Sequence, residues 1–289
     1  MSTLIITCIY SNLYGSEFGG RPSRDWHYKF SLLNILNLQP TKIICFTSSE
    51  ELTELEKFFY EENKIDKNLL EFKIFDLKDT KYYDLIQSKK NIEKQKTDHR
   101  CFEIQYNKFF WISLIKDIEQ YRYVYWFDAG LSHGGLFPAQ YMYELETNEH
   151  GRNWYNSSMF TPEYLLYLNR LANTGKIILI SKNNKSFGTE VTIPQDYYIN
   201  FDNSRHIVGG FFGGITENYL SFLQKFDDIL LKLLLAKEND LFMEESIMSC
   251  LYFNEKDLYH TLEFDDWQPW PHHVNQESIK YFYEIFLQK

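Results

Sequence analysis

The sequence predicts an α/β domain with a mostly parallel central sheet flanked by helices, and three observations carry that prediction. Apolar runs at residues 4–10, 42–46 and 70–75 read as strands, the first two compact enough to be buried on both faces. Helical signals separate them, so the first 75 residues follow the order β-loop-α-β-α-β, which calls for right-handed crossovers in a parallel sheet. A further run, Tyr123-Val124-Tyr125-Trp126-Phe127, ends abruptly in Asp128, Ala129 and Gly130. An acid there stands where open α/β sheets take their ligands, in the crevice beyond the strand ends. The bland alternative is a turn cap, a common post for aspartate.

Each element has its own justification. The first strand is followed by a Gly-, Ser- and Asn-rich loop over 11–24, which holds Gly19, Gly20, Arg21 and Pro22. A helix is predicted from Ser23 or Asp25, with Trp26, Phe30, Leu33 and Leu36 on one face. Ser48, three residues before Glu51, opens a capped helix that runs to about Tyr60. Residues 76–100 are charged and lysine-rich, a helix and surface loop. A single amphipathic helix is expected over 103–118, carrying Tyr106, Phe109, Phe110, Ile112 and Leu114 into the strand before Asp128. Residues 131–175 read as irregular apart from a short helix at 163–172. Strands follow at 176–181 and 207–212, then helices at 216–236 and 240–253. The tail carries Asp265-Asp266-Trp267-Gln268-Pro269-Trp270-Pro271-His272-His273 and a short final helix. No repeat or linker divides the chain, so one domain is expected over 1–289.

At 289 residues the chain can bury a substantial core. Its net charge of −10 removes the global basic field of a general nucleic-acid binder. A local cluster (Lys89, Lys90, Lys94, Lys96 and Arg100) reads first as a solvated helix face. Cys8, Cys45, Cys101 and Cys250 are scattered, with no metal or disulfide spacing, which fits a reducing compartment. The start lacks a basic signal region, and no apolar run approaches a membrane span. A soluble, cytoplasmic protein is expected.

The second strong feature is Gly209-Gly210-Phe211-Phe212-Gly213-Gly214, preceded by Arg205 and followed by Glu244-Glu245-Ser246. Paired glycines let backbone approach a ligand while the rings shape a wall; the alternative is a tight strand-to-helix corner. The spacing fits neither GxGxxG nor Walker A, so nicotinamide and ATP folds are poorly supported. Acids at a helix start suit the helix dipole, and they also suit acid–base chemistry.

In their order, the opening strand with its Gly/Arg loop, the strand ending in Asp128, the 209–214 motif and Glu244-Glu245-Ser246 resemble nucleotide-sugar glycosyltransferases of the GT-A fold. The last two are similar to the acceptor wall and acidic helix start of blood-group-type galactosyltransferases. Tyr125-Trp126-Phe127-Asp128-Ala129-Gly130-Leu131, with Ile6-Thr7-Cys8-Ile9-Tyr10 and Cys45-Phe46-Thr47-Ser48, resembles the HtrL/YibB-like bacterial proteins. The resemblance implies a Rossmann-like donor half at 1–130 and an acceptor half with tail at 131–289. It implies a nucleotide-sugar donor, UDP-sugar foremost, and transfer of a hexosyl or pentosyl group to an acceptor hydroxyl.

The implied donor-binding residues are Tyr10, Ser11 and Asn12 near the base, Arg21 and Arg24 near the diphosphate, and Asp128 with Gly130. In the family a DxD motif holds Mn²⁺ or Mg²⁺; here Gly130 replaces its last acid. A metal would therefore rest on Asp128 with His272 or His273, and His133 is a local alternative. Without a metal, Arg21, Arg24 and Arg205 would hold the phosphates. Catalysis falls to Glu245, with Glu244 in reserve, as the base of an inverting enzyme or in a retaining one. Acceptor contacts fall to Gly209, Gly210, Phe211 and Phe212, with Trp267 and Trp270 either stacking on sugar faces or packing the tail on the core. The implied acceptor is a surface polysaccharide or other glycan. The alternatives are a hydroxymethylated base in bacteriophage DNA, or a non-catalytic nucleotide-sugar-binding protein.

Overall fold

A computed structural model of the chain describes residues 2–10, 25–89, 101–129, 161–183, 205–236 and 241–264. Seven strands form one sheet: β1 (Thr3–Ile9), β2 (Lys42–Thr47), β3 (Leu70–Ile74), β4 (Tyr123–Phe127), β5 (Ile177–Asn183), β6 (Arg205–Ile215) and β7 (Tyr259–Phe264). Their order is β3-β2-β1-β4-β6-β5-β7. Pairing is parallel except where β6 meets β4 and β5, so β6 alone among these strands runs against the rest. The mostly parallel α/β sheet expected from the sequence is therefore present. Between β1 and β4 the order reverses: the chain leaves β1 toward β2 and returns on the other side as β4. At such a reversal open α/β sheets take their ligands, beyond the carboxyl ends of the two strands.

Alternation along each strand divides the core into two layers, because successive side chains point to opposite faces. Ile6, Phe46, Trp126 and Phe212 lie on one face with the helices α3 (Tyr83–Lys89), α4 (Phe102–Asn107), α6 (Thr216–Leu235) and α7 (Glu244–Asn254). Ile5, Cys45, Tyr125, Phe127 and Phe211 lie on the other, covered by α1 (Asp25–Leu36), α2 (Ser49–Glu56) and α5 (Pro162–Ala172). Ser48 caps α2 by accepting from the Glu51 amide, as its spacing predicted, and the helix continues as a wider π-turn over Lys57–Glu62. On α1 the buried apolar positions are Leu32, Ile35 and Leu36, with Leu33 partly covered, and Lys29, Ser31 and Asn34 are buried as well; the side chains of Trp26 and Phe30 lie outside the described ones.

Two expectations need correction. The 103–118 helix stops at Asn107, and the chain continues through turns and 3-10 segments at Trp111–Leu114 and Ile118–Gln120. Burying Phe109, Trp111, Ile112, Ile115 and Ile118 within so short a span favours irregular backbone over one helical stripe, and Asp117 adopts a left-handed conformation at φ 55°. The other correction is β7, an edge strand absent from the sequence reading. Among the described residues no helix is long and apolar enough to cross a membrane.

Candidate active site

Asp128 follows β4 directly, and its amide donates to the Gly210 carbonyl at 2.9 Å, which locks the strand end to β6. Along β6 the register with β5 shifts: Leu179 faces Phe212, but Ile180 faces Val208. Residues 209–211 thus bulge away from β5 while Phe211 still pairs with Phe127. Bulges of this kind re-aim backbone near functional sites. Here the bulge turns Gly209 toward the first turn of α7. Its amide donates to Glu245 Oε1 at 3.0 Å. A Cβ on Gly209 would lie 2.6 Å from Glu244 Oε1, so glycine is what allows the glutamate to settle there. Gly213 answers a different need: a Cβ would come within 2.3 Å of the Val124 carbonyl. Ser249 ties the same elements together, since its hydroxyl donates to the Glu245 carbonyl and accepts from the Ile207 amide.

The centre of the arrangement is a residue the sequence reading passed over. Lys108, in the turn just after α4, has a side chain only 5% exposed. Its ammonium lies 2.8 Å from Glu244 Oε1, 3.0 Å and 3.2 Å from the two Asp128 oxygens, and 3.3 Å from the Gly209 carbonyl. Burial works against a charged ammonium, yet Asp128 and then Glu244 outweigh it and hold the Lys108 pKa above the ordinary lysine value. The Trp126 indole N–H donates to Asp128 Oδ1 at 2.7 Å, fixing the carboxylate from behind. Asp128 remains 34% exposed, whereas the Glu244 side chain is 5% exposed and its Oε2 has no hydrogen-bond partner among the described residues. Asp128 and Glu244 share the one ammonium and Glu245 stands beside them on Gly209, so the acids outnumber the cation, with Asp128 as the open face. A lone lysine between Tyr106 and the Phe109-Phe110-Trp111 run was the available signal. It was missed because a continuous helix would have placed it on the polar side.

The structure thus brings Asp128, Gly209, Gly210, Glu244 and Glu245 into one cluster at the crevice. It corrects the Phe pair: Phe211 and Phe212 are core, one on each face of the sheet, because neighbouring strand residues point in opposite directions. Phe212 stacks on Phe109 at 4.8 Å, and Phe211 stacks on Tyr125 at 5.8 Å, so neither ring forms an acceptor wall. Tyr10 lies at the crevice end of β1, but it is only 5% exposed. Its ring stacks on Trp111 and its hydroxyl donates to the Phe75 carbonyl at 3.0 Å, so it forms floor and offers no open stacking platform. Ser11, Asn12, Arg21, Arg24, Gly130, His133, Trp267, Trp270, His272 and His273 lie outside the described residues, as does the Arg205 side chain. So does the basic cluster apart from Lys89, whose ammonium donates to the Ala236 carbonyl.

A divalent cation fits these side chains poorly. Lys108 donates to Asp128 Oδ2 and Trp126 donates to Oδ1, so each oxygen is already engaged once and keeps a single lone pair. Among the described residues no group of three His, Cys, Asp or Glu side chains could hold a metal ion.

No protein-family model matches the chain, and no curated protein matches its sequence. Solved structures do match. One is 4-diphosphocytidyl-2C-methyl-D-erythritol synthase from Anaerococcus prevotii, at 14% identity, covering 99% of this chain and 98% of that one, with a TM-score of 0.44. Mouse xyloside xylosyltransferase 1 is 9% identical over 90% of this chain and 84% of its own, with a TM-score of 0.46. The mannosyltransferase Ktr4p from S. cerevisiae is 9% identical over 90% of this chain and 68% of its own, with a TM-score of 0.47. At those scores the likeness assigns no activity.

Proposed function

We propose that this chain is a glycosyltransferase that moves a sugar from a nucleoside-diphosphate sugar, UDP-sugar foremost, to a hydroxyl of a glycan. The observation that carries the reading is the placement of Asp128: a part-exposed carboxylate at the β1/β4 reversal, buttressed from behind by Lys108, Glu244 and Gly209. Carboxylates accept hydrogen bonds from sugar hydroxyls, and Asp128 Oδ2 keeps a lone pair for one. Transfer breaks the bond from the anomeric carbon to the diphosphate, whose oxygen leaves with the electron pair. Positive charge then develops on the sugar ring, and a preorganised site with more carboxylates than cations favours it.

The acceptor oxygen bonds to the anomeric carbon and its proton passes to a carboxylate. Of the two glutamates Glu245 is the more accessible and takes that role; Glu244, buried against Lys108, positions the cluster. Arg21 and Arg24 are assigned to the diphosphate, Ser11 and Asn12 to the nucleoside, and Trp267 and Trp270 to the acceptor, in keeping with a donor half at 1–130 and an acceptor half beyond it. Four cysteines, none of them in a disulfide, suit a reducing, cytoplasmic setting. Calorimetric titration with UDP-, GDP- and CMP-sugars tests the reading. Saturable binding of one of them, lost in Asp128→Ala with the melting temperature preserved, supports it; no binding of any refutes it.

A further inference from the structure

The oxygens around Lys108 form a shell of a particular kind. A strand end supplies both oxygens of Asp128, a helix start supplies Glu244 Oε1, and a bulged strand supplies the Gly209 carbonyl, all within 2.8–3.3 Å of one nitrogen. An all-oxygen shell of carboxylates and a backbone carbonyl is what hard divalent cations take. Here a covalently tethered ammonium occupies its centre, with three N–H donors shared among four oxygens. A second cation at Asp128 would share a carboxylate already bound by Lys108 and Trp126, and it would stand beside the positive charge of a buried ammonium. Two residues further on, Gly130 has no side chain to offer as a ligand.

We propose that the Lys108 ammonium is the built-in cation of this site, filling the place of a divalent ion, and that the site handles its sugar donor without a divalent metal. The second half rests on the glycosyl-transfer reading; the first half does not. Lys108 gathers Asp128 and Glu244 as a metal would, and it cannot be removed by chelation. The countercharge for the leaving diphosphate then has to come from other side chains.

The experiment uses full-length protein stripped with a chelator. Mn²⁺ is titrated calorimetrically into the native chain and into Asp128→Asn, and donor turnover is read with chelator and with added Mn²⁺. The expected results are no Asp128-dependent Mn²⁺ binding at millimolar metal and turnover unchanged within about twofold by chelator. Stoichiometric Mn²⁺ binding lost in Asp128→Asn overturns the assignment. So does turnover that falls tenfold or more under chelator and returns with Mn²⁺. In Lys108→Ala the emptied shell gains an Mn²⁺-dependent rise in melting temperature absent from the native chain; a folded Lys108→Ala with no such rise also counts against it. Should this variant fail to fold, the native-chain titration still decides. If no nucleotide sugar is turned over, the functional reading falls, and the Mn²⁺ titration judges the cation independently.

Discussion

Replacing Lys108 by Met removes the cation paired with Glu244, whose side chain is 5% exposed. Removing one partner of a buried ion pair destabilises by about 3–5 kcal/mol, because the remaining charge is left without compensation. Asp128 recovers much of its loss from solvent, being 34% exposed, so the effect falls mainly on Glu244 and its unpartnered Oε2. For a large domain each kcal/mol moves the melting temperature by about 2–4 °C, so Lys108→Met should melt roughly 6–20 °C lower. Removing both charges should be milder, since it leaves no buried charge uncompensated and costs the Gly209 carbonyl its Lys108 donor. The double variant Lys108→Met/Glu244→Met should therefore regain more than about half of that loss, a coupling of roughly 2 kcal/mol or more in the cycle. Urea unfolding of the native chain, both single variants and the double variant supplies the four free energies. A Lys108→Met loss below about 1 kcal/mol, or effects that add within about 0.5 kcal/mol, would show that the triad is not energetically joined.

Gly209→Ala should destabilise by about 1–3 kcal/mol in thermal melts, because its Cβ would meet Glu244 Oε1 at 2.6 Å and Lys108 keeps that carboxylate from moving away. Trimming the obstacle with Glu244→Ala in the same chain should make the added methyl nearly silent. Glu245→Gln should lower turnover by about a hundredfold or more while donor affinity changes little; if Glu244→Gln does this instead, the two roles are exchanged. His260 on β7 is held below the ordinary histidine value by burial first and by Lys176 second. A depressed folded-state pKa means its contribution is present above the unfolded value and is lost as pH falls through the folded one. Stability should therefore drop between about pH 7 and pH 5, and His260→Gln should flatten that limb when melting is followed across the range.

Much of the fold was legible because β1, β2 and β4 are buried on both faces and so appear as unbroken apolar runs. β7 escaped because Tyr259-His260-Thr261-Leu262-Glu263-Phe264 pairs, among the described residues, with β5 alone at the sheet edge and has no such run. Asp128, the 209–214 motif and Glu244-Glu245 were each visible from residue type and position. Which glutamate faces Lys108 was not, because it depends on α7 starting at Glu244 and not near 240, and adjacent helical residues point about 100° apart. Phe211 and Phe212 misled because aromatic residues beside glycines suit a ligand wall and a two-sided core equally well. Lys108 was hidden by a tertiary event, the ending of α4 at Asn107, which swings the next side chain inward to meet carboxylates 20 and 136 positions further along.

The most direct test is a crystal structure with a nucleoside-diphosphate sugar bound. Its sugar should hydrogen-bond to Asp128 in the crevice between the ends of β1 and β4, with Lys108 still seated between Asp128 and Glu244 and no metal beside it. Density for the donor anywhere else on the molecule, or a lysine displaced by a coordinated ion, would contradict both the site and its chemistry.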